Sequence, residues 1–272
     1  MIIISDSDVE QVNKVTLSDV EREILQKKKA SPVIYRYDSP EALEFELKMR
    51  SKIVKSATDL DASGVRFATF KGSQCNKRYW SRTKNGGFGL KSGVLPSDGI
   101  NDIFQNGYLY AFECATAVVI ILYKAVFDAI HKEAFNTYFT ELFLWGWNVD
   151  SNLRLISVNN KNEAYLGDIL YFENPDHLPE TPEWQGENTV MLANDQYYGH
   201  GIGIETSEGI ISALNSKRKP GSMTSAYLSE RVLHPDFQSL QKLSVRGNPL
   251  AVQNKYSVNA IVARVGANTY IY

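Results

Sequence analysis

Apolar positions in the first half of the chain recur at helical spacing, whereas later they crowd into short runs suited to strands. Leu17 to Lys29 reads as a short helix, and its Lys27-Lys28-Lys29 end suits the negative end of a helix dipole. Asp38-Ser39-Pro40-Glu41 is a helix start, with a capping residue, a proline in the first turn and an early acid. Leu43, Leu47, Val54, Ala57 and Leu60 then return at helical spacing until Gly64 stops the run. Val65 to Phe70 and Arg78 to Ser81 predict strand pieces around a polar loop carrying Cys75. Asn85-Gly86-Gly87 and Gly89 mark turns, and Pro96-Ser97-Asp98 opens another helix. The segment from Tyr108 to about Lys132 is apolar on nearly every side as far as Tyr123, so the predicted helix there is the centre of a core.

From Asp168 the texture changes. Ile169 to Phe172, Asn188 to Leu192, Tyr197 to Ile204 and Ile210 to Leu214 are short β-rich runs between turn residues. Tyr256 to Tyr272, rich in Val, Ile and Tyr, predicts an added edge strand. Helices first and a meander of strands later define an α+β domain, with the buried helix packed on a mainly antiparallel sheet. No internal repeat and no long linker divides the chain.

Composition narrows the function. At 272 residues the chain can bury about 73% of its unfolded surface, so it needs neither disulfides nor a structural metal to fold. Lys+Arg number 29 against Asp+Glu 31, a formal charge of −2, which leaves no basic excess for tracking nucleic acid. Two cysteines and four histidines, without metal-ligand spacing, predict no metal site and no cofactor. The opening Met1-Ile2-Ile3-Ile4 lacks a basic stretch and is too short for a signal peptide. The longest uncharged apolar run, Cys114 to Tyr123, is about half a membrane span. The expectation is a soluble protein of the cytoplasm with no membrane partner, and nothing in the pattern specifies an oligomeric state.

Cys114 stands near the start of the apolar helix, where unpaired N–H groups and the positive dipole end favour a thiolate. A cysteine amid Ala, Val and Ile is more often a small core hydrophobe. A second feature favours the nucleophile. Ala193-Asn194-Asp195-Gln196 is a turn between two β runs, predicting a hairpin in which His200 faces Thr189 and Glu187 faces Ile202. Glu187 then lies diagonally from His200 on one face, ~7–8 Å away along the backbone, as a histidine-orienting acid requires. A one-residue slip would move these side chains apart. Gly199, Gly201 and Gly203 alternate with His200, which either admits a closely packed neighbour or makes a weak strand. Trp145, Trp147 and Trp184 are core packing or the aromatic wall of a site. Lys27–Lys29 and Lys217-Arg218-Lys219 read as solvated faces.

Several blocks together resemble the spore-coat transglutaminase family of spore-forming bacteria. They are Tyr110-Ala111-Phe112-Glu113-Cys114-Ala115-Thr116-Ala117, Gly167-Asp168-Ile169-Leu170-Tyr171-Phe172, Trp184-Gln185-Gly186-Glu187-Asn188 and His200-Gly201-Ile202-Gly203-Ile204. Leu214-Asn215-Ser216-Lys217-Arg218 and Ser225-Ala226-Tyr227-Leu228 follow in order. The similarity covers residues 1–246 as one domain and leaves 247–272 as a C-terminal extension. The resemblance implies a compact papain-like fold and a calcium-independent protein-glutamine γ-glutamyltransferase. Cys114 is then the nucleophile, His200 the catalytic histidine, and Glu187 and Glu113 the catalytic acids. Phe67, Trp147 and Trp184 line the substrate path. The implied partners are glutamine- and lysine-containing spore-coat proteins, met in the mother-cell cytoplasm and then in the coat. Two competitors use the same residues differently: a papain-like amidase or peptidase with water as acceptor, and an inactive structural coat protein.

Overall fold

The computed structural model describes residues 1–5, 12, 17–246, 262–265 and 268–271. Helix α1 (Asp19–Ala30) begins with a reciprocal cap: the Ser18 hydroxyl accepts from the Glu21 N–H, and the Glu21 carboxylate accepts from the Ser18 N–H at 2.8 Å. Helix α2 (Pro40–Ala62) starts as its sequence directs, with Ser39 accepting from the Ala42 N–H and Pro40 in the first turn. It ends at Ser63, before Gly64. Helix α3 (Pro96–Gln105) follows its proline.

Helix α4 (Cys114–Ala129) is buried continuously from Ala115 to Tyr123. It packs on α2 and on the Gly186–Ala193 strand, in one hydrophobic core. It is shorter than the pattern predicts. Tyr108 to Phe112 is apolar but lies outside the α-helix: Gly107–Leu109 makes a 3₁₀ turn and Ala111–Phe112 pairs in parallel with Arg66–Phe67. Helix α5 (Lys132–Tyr138) continues the packing.

The six-stranded sheet runs Gly203–Glu205, Gln196–Gly199, Gly186–Ala193, Ile169–Glu173, Tyr227–Pro235, Leu155–Asn159, antiparallel throughout. The molecule is the expected α+β domain with a buried helix against an antiparallel sheet. Tyr197 to Ile204 forms two strands, not one, turning back on itself through residues 200–202. Ile210 to Leu214 belongs to helix α6 (Ser207–Asn215), capped by Thr206 onto the Gly209 N–H, with Ile210 and Leu214 buried one turn apart. An apolar run that short fits either period. Helix α7 (Phe237–Arg246) completes the domain. In the expected extension, Val262–Val265 and Asn268–Ile271 pair as an antiparallel hairpin, and the rest of 247–272 lies outside the described residues. Among the described residues no helix is long and apolar enough to cross a membrane.

A buried ionic cluster fastens the helical layer to the sheet. Glu46 accepts from Lys28 at 3.0 Å and Arg50 at 2.7 Å, and Arg50 reaches Asp168 at 2.6 Å. Asp168 also accepts from the Tyr165 N–H at 2.7 Å, immediately before the Ile169–Glu173 strand. The acid of the Gly167-Asp168-Ile169 block therefore serves to set that strand's start.

Candidate active site

The start of α4 is organised by Glu113. Its carboxylate accepts from the backbone N–H groups of Ala115 at 2.7 Å and Thr116 at 2.6 Å, and from the Thr116 hydroxyl at 2.5 Å. This is an N-cap made by a glutamate, and it satisfies two of the donors that a helix start leaves open. The N–H of Cys114, at the first helical position, has no intrahelical acceptor. Thr116 Oγ1 in turn accepts from the Gly146 N–H at 2.9 Å, tying the Trp145–Trp147 loop to the helix start.

The Gly186–Ala193 strand supplies the other side. Val190 and Leu192 share the core of α4, and alternation puts Asn188 on that same face. Its side-chain amide donates to the Cys114 sulfur at 3.3 Å, and its backbone N–H also acts on that sulfur. Glu187 is almost fully buried beside Gly199, where a Cβ would stand 3.0 Å from the Glu187 Cγ. Glycine there makes room for the acid. The carboxyl meets the backbone N–H of His200, while Oε1 has no hydrogen-bond partner.

The hairpin register differs from the expected one. Ala193 pairs with Gln196 as the turn demands, but a bulge between Met191 and Ala193 shifts the rest by one residue. Thr189 faces Gly199, not His200, and the chain reverses before Ile202 can face Glu187. Gly201 adopts φ +103°, and its missing side chain admits the Phe67 ring, which a Cβ would approach to 2.9 Å. The glycines thus serve a close approach and a reversal.

The shift turns His200 away from the expected partners. Its Nδ1 accepts from the Tyr198 hydroxyl at 2.9 Å, and Nε2 faces the carbonyl oxygens of Phe112 at 3.1 Å and Arg66 at 3.3 Å. Its ring stacks on Phe112, centroids 4.9 Å apart. In this structure the imidazole braces the parallel Arg66–Phe67/Ala111–Phe112 ladder against the sheet. It bonds neither Cys114 nor the Glu187 carboxyl. Burial holds its pKa down, to about 4, against the pull of the two carbonyls. It is neutral at pH 7.

Electrostatics at sulfur also run against the dipole argument. Burial, then the charges of Glu187 and Glu113, push the Cys114 thiol up to about 12, opposed by donation from Asn188. Burial and the nearby Glu113 raise the Glu187 carboxyl well above its ordinary range. The charge of each acid thus disfavours ionisation of the thiol, as burial does. Cys75 is raised by burial alone in the main and lies near the Trp80 carbonyl. Among the described residues no cluster of three or more His, Cys, Asp or Glu side chains is placed to hold a metal.

Of the three expected aromatics, Phe67 and Trp184 meet at 6.0 Å and Phe67 lies 6.1 Å from the His200 ring. Lys217 places its ammonium 5.1 Å from the Trp184 ring centre. Trp147 is 38% exposed on the loop that Thr116 tethers, and among the described residues it joins no ring pair. Reading the sequence by residue type missed Asn188 and Tyr198, because amides and phenols carry no motif of their own. Asn188 was nevertheless adjacent to Glu187 in a strand, and strand alternation is the signal that could have found it.

A cysteine at the start of a buried helix, with the Asn188 amide on its sulfur and the Glu187 carboxyl near enough to act on its charge, is an arrangement able to carry acyl transfer. Comparison with known proteins gives that class a family. The protein-glutamine gamma-glutamyltransferase family matches residues 1–244. A protein-glutamine gamma-glutamyltransferase of Bacillus cereus (strain B4264) is 42% identical over 241 residues, 88% of this chain and 87% of that protein. One from Bacillus anthracis (strain A0248) is 43% identical over 244 residues, with the same coverage of each. A solved transglutaminase from Geobacillus stearothermophilus, without its C-terminal extension, is 49% identical with a TM-score of 0.72, covering 75% of this chain and 97% of that one. The chain belongs to the protein-glutamine gamma-glutamyltransferase family. It is an acyltransferase whose activity cross-links proteins.

Proposed function

We propose that this enzyme joins glutamine to lysine between spore-coat proteins, without calcium, through a thioester on Cys114. The mother-cell cytoplasm would supply it and the coat would be its place of work, as the resemblance to the spore-coat enzymes implies. The observation that carries the chemistry is the Cys114–Glu187 pair, two buried groups whose charges repel and whose acid has an unpartnered oxygen.

The Cys114 sulfur adds to the carbonyl carbon of a glutamine γ-carboxamide while Glu187 takes the thiol proton. The carbonyl electron pair moves to oxygen as the carbon–sulfur bond forms. Collapse of that oxyanion breaks the carbon–nitrogen bond, and Glu187 returns the proton to the departing nitrogen, which leaves as ammonia. A neutral lysine amine then attacks the thioester, and Glu187 carries its proton to the departing sulfur. The isopeptide and the free thiol result. Glu113 is assigned to holding the helix start, since its oxygens already accept three hydrogen bonds. His200 is assigned to positioning Phe67 and the α4 start through its carbonyl contacts.

The test incubates purified protein with a glutamine-containing protein and a fluorescent primary amine, with a chelator present. Amine incorporation blocked by Cys114→Ala supports the reading. Ammonia release without incorporation makes the protein an amidase, and neither product makes it a structural coat component. Incorporation lost only when chelator is added would overturn calcium independence.

A further inference from the structure

A sulfur attacking an amide carbon needs a donor twice: before attack, to hold its charge, and afterwards, to hold the charge on the carbonyl oxygen. With the His200 ring bonded elsewhere and Glu113 engaged at the helix start, neither expected residue supplies a donor to the sulfur. Besides the Asn188 backbone N–H already acting on the sulfur, two N–H groups stand beside it. One is the backbone N–H of Cys114, whose position at the first turn leaves it without an intrahelical acceptor. The other is the Asn188 amide, 3.3 Å from Sγ.

We propose that Asn188 is a catalytic residue: its carboxamide N–H holds the Cys114 sulfur before attack and, with the Cys114 backbone N–H, receives the oxyanion that forms on the glutamine. The assignment rests on the reading that Cys114 is acylated by a glutamine side chain. An oxyanion formed on the carbon bonded to Sγ lies two bonds from the sulfur, within the reach of a donor already in contact with it. The position of Asn188 is rigidly set. It stands in the middle of the sheet, opposite Tyr171 of the Ile169–Glu173 strand, and two residues before Val190, which is fully buried against α4. A donor fixed by a sheet costs no reorganisation when the charge appears. The amide is not sealed into the core, because Asn188 lines a crevice with Tyr171 and Arg231. Glu187 and Asn188, neighbours in sequence, thereby divide the work: one moves a proton, the other holds a negative charge.

Asn188→Ala and Asn188→Asp, made in the full chain, separate this role from packing. Asp keeps the shape of Asn but replaces the donor by a third carboxylate near the sulfur. Two rates are measured at pH 8: iodoacetamide alkylation of Cys114, with Cys75 as an internal reference followed by mass spectrometry, and ammonia release in the first turnover with a glutamine peptide. The expected result is alkylation of Cys114 about 10–100-fold slower in Asn188→Ala, and ammonia release about 10²–10³-fold slower. Asn188→Asp should be slower still on both, with Cys75 unchanged. If Asn188→Asp matches or exceeds Asn188→Ala, or if Cys75 changes in proportion to Cys114, Asn188 is a packing residue and the proposal falls. Slowed alkylation in a protein whose wild type incorporates no amine would retain Asn188 as the sulfur's donor while overturning the transferase reading.

Discussion

Two glutamates in this protein are equally hidden from water and opposite in character. Glu46 is 7% exposed and Glu187 2%. Burial pushes both upward, but Lys28 and Arg50 bond Glu46 and hold it at about 2, while the Tyr37 hydroxyl donates to its second oxygen at 2.8 Å. Glu187 has no cation against it, feels the charge of Glu113, and is raised well above its ordinary range. Burial alone therefore does not tell a structural acid from the one proposed to move protons. The counter-charge does: a fully partnered carboxylate is fixed as an ion, whereas an unpartnered one exchanges its proton.

The signs of the two shifts make them separable by pH. Glu46 is depressed below its ordinary 4.5, so its stabilisation is present above that value and is lost as the pH falls towards 2. Glu187 is raised, so its contribution is complete below its unfolded pKa and is lost as the pH rises through its folded pKa.

The largest effect tests whether the reactive region is centred on the sulfur. Cys114→Ala should reduce amine incorporation by about 10⁵-fold or more while the thermal midpoint changes by only a few degrees. Residual turnover within about tenfold of wild type would place the nucleophile elsewhere. Next, Arg50→Met should cost about 3–5 kcal/mol, because it leaves Asp168 and part of Glu46 uncompensated in the core. At ~2–4 °C per kcal/mol, the thermal midpoint should drop by about 6–20 °C. A drop of a degree or two would mean the cluster relaxes towards solvent.

Glu187→Gln sharpens the comparison most, because its two readouts move in opposite directions. Turnover should fall about 10²–10³-fold as the proton carrier is lost. The thermal midpoint should match wild type near pH 4 and exceed it near pH 8, since the amide removes the burden of ionising a buried acid. A variant less stable than wild type at pH 8 would show that the carboxylate is compensated after all. The smallest expected effect is at the aromatic pair. Trp184 already carries the Lys217 ammonium over its ring, and a ring face can stabilise a cation by about 0.5–2 kcal/mol. Trp184→Ala should therefore shift the ratio of amine incorporated to ammonia released by about fivefold towards hydrolysis. Equal loss of both products would assign Trp184 to packing or to glutamine binding.

Much of the fold was legible along the chain because it rests on local physics. Ser39 caps the helix it precedes, and the unbroken apolar run after Cys114 is buried all round. Where the reading misplaced the start of α4, a partner distant in sequence had intervened. Tyr108 to Phe112 is as apolar as the helix that follows, but Arg66–Phe67 pairs with its end and delays the helix to Cys114. Ile210 to Leu214 has too few residues for its period to be read, and the Thr206 cap made it a helix.

At the site, the sequence by itself determined most of the cast: Cys114 at a helix start, Glu113 before it, and Glu187 and His200 on either side of a hairpin turn. Only the tertiary structure decided who meets whom. One bulge between Met191 and Ala193 moved the register by a residue, and a strand's two-residue period turns such a step into a change of face. His200 was thereby sent to the carbonyls of Arg66 and Phe112, while Asn188 kept the face of α4 and with it the sulfur. Charge states followed the same rule. Composition fixes how many acids the chain has, but whether a buried acid ionises depends on which cations the fold brings within a few ångströms, and Glu46 was given two where Glu187 was given none.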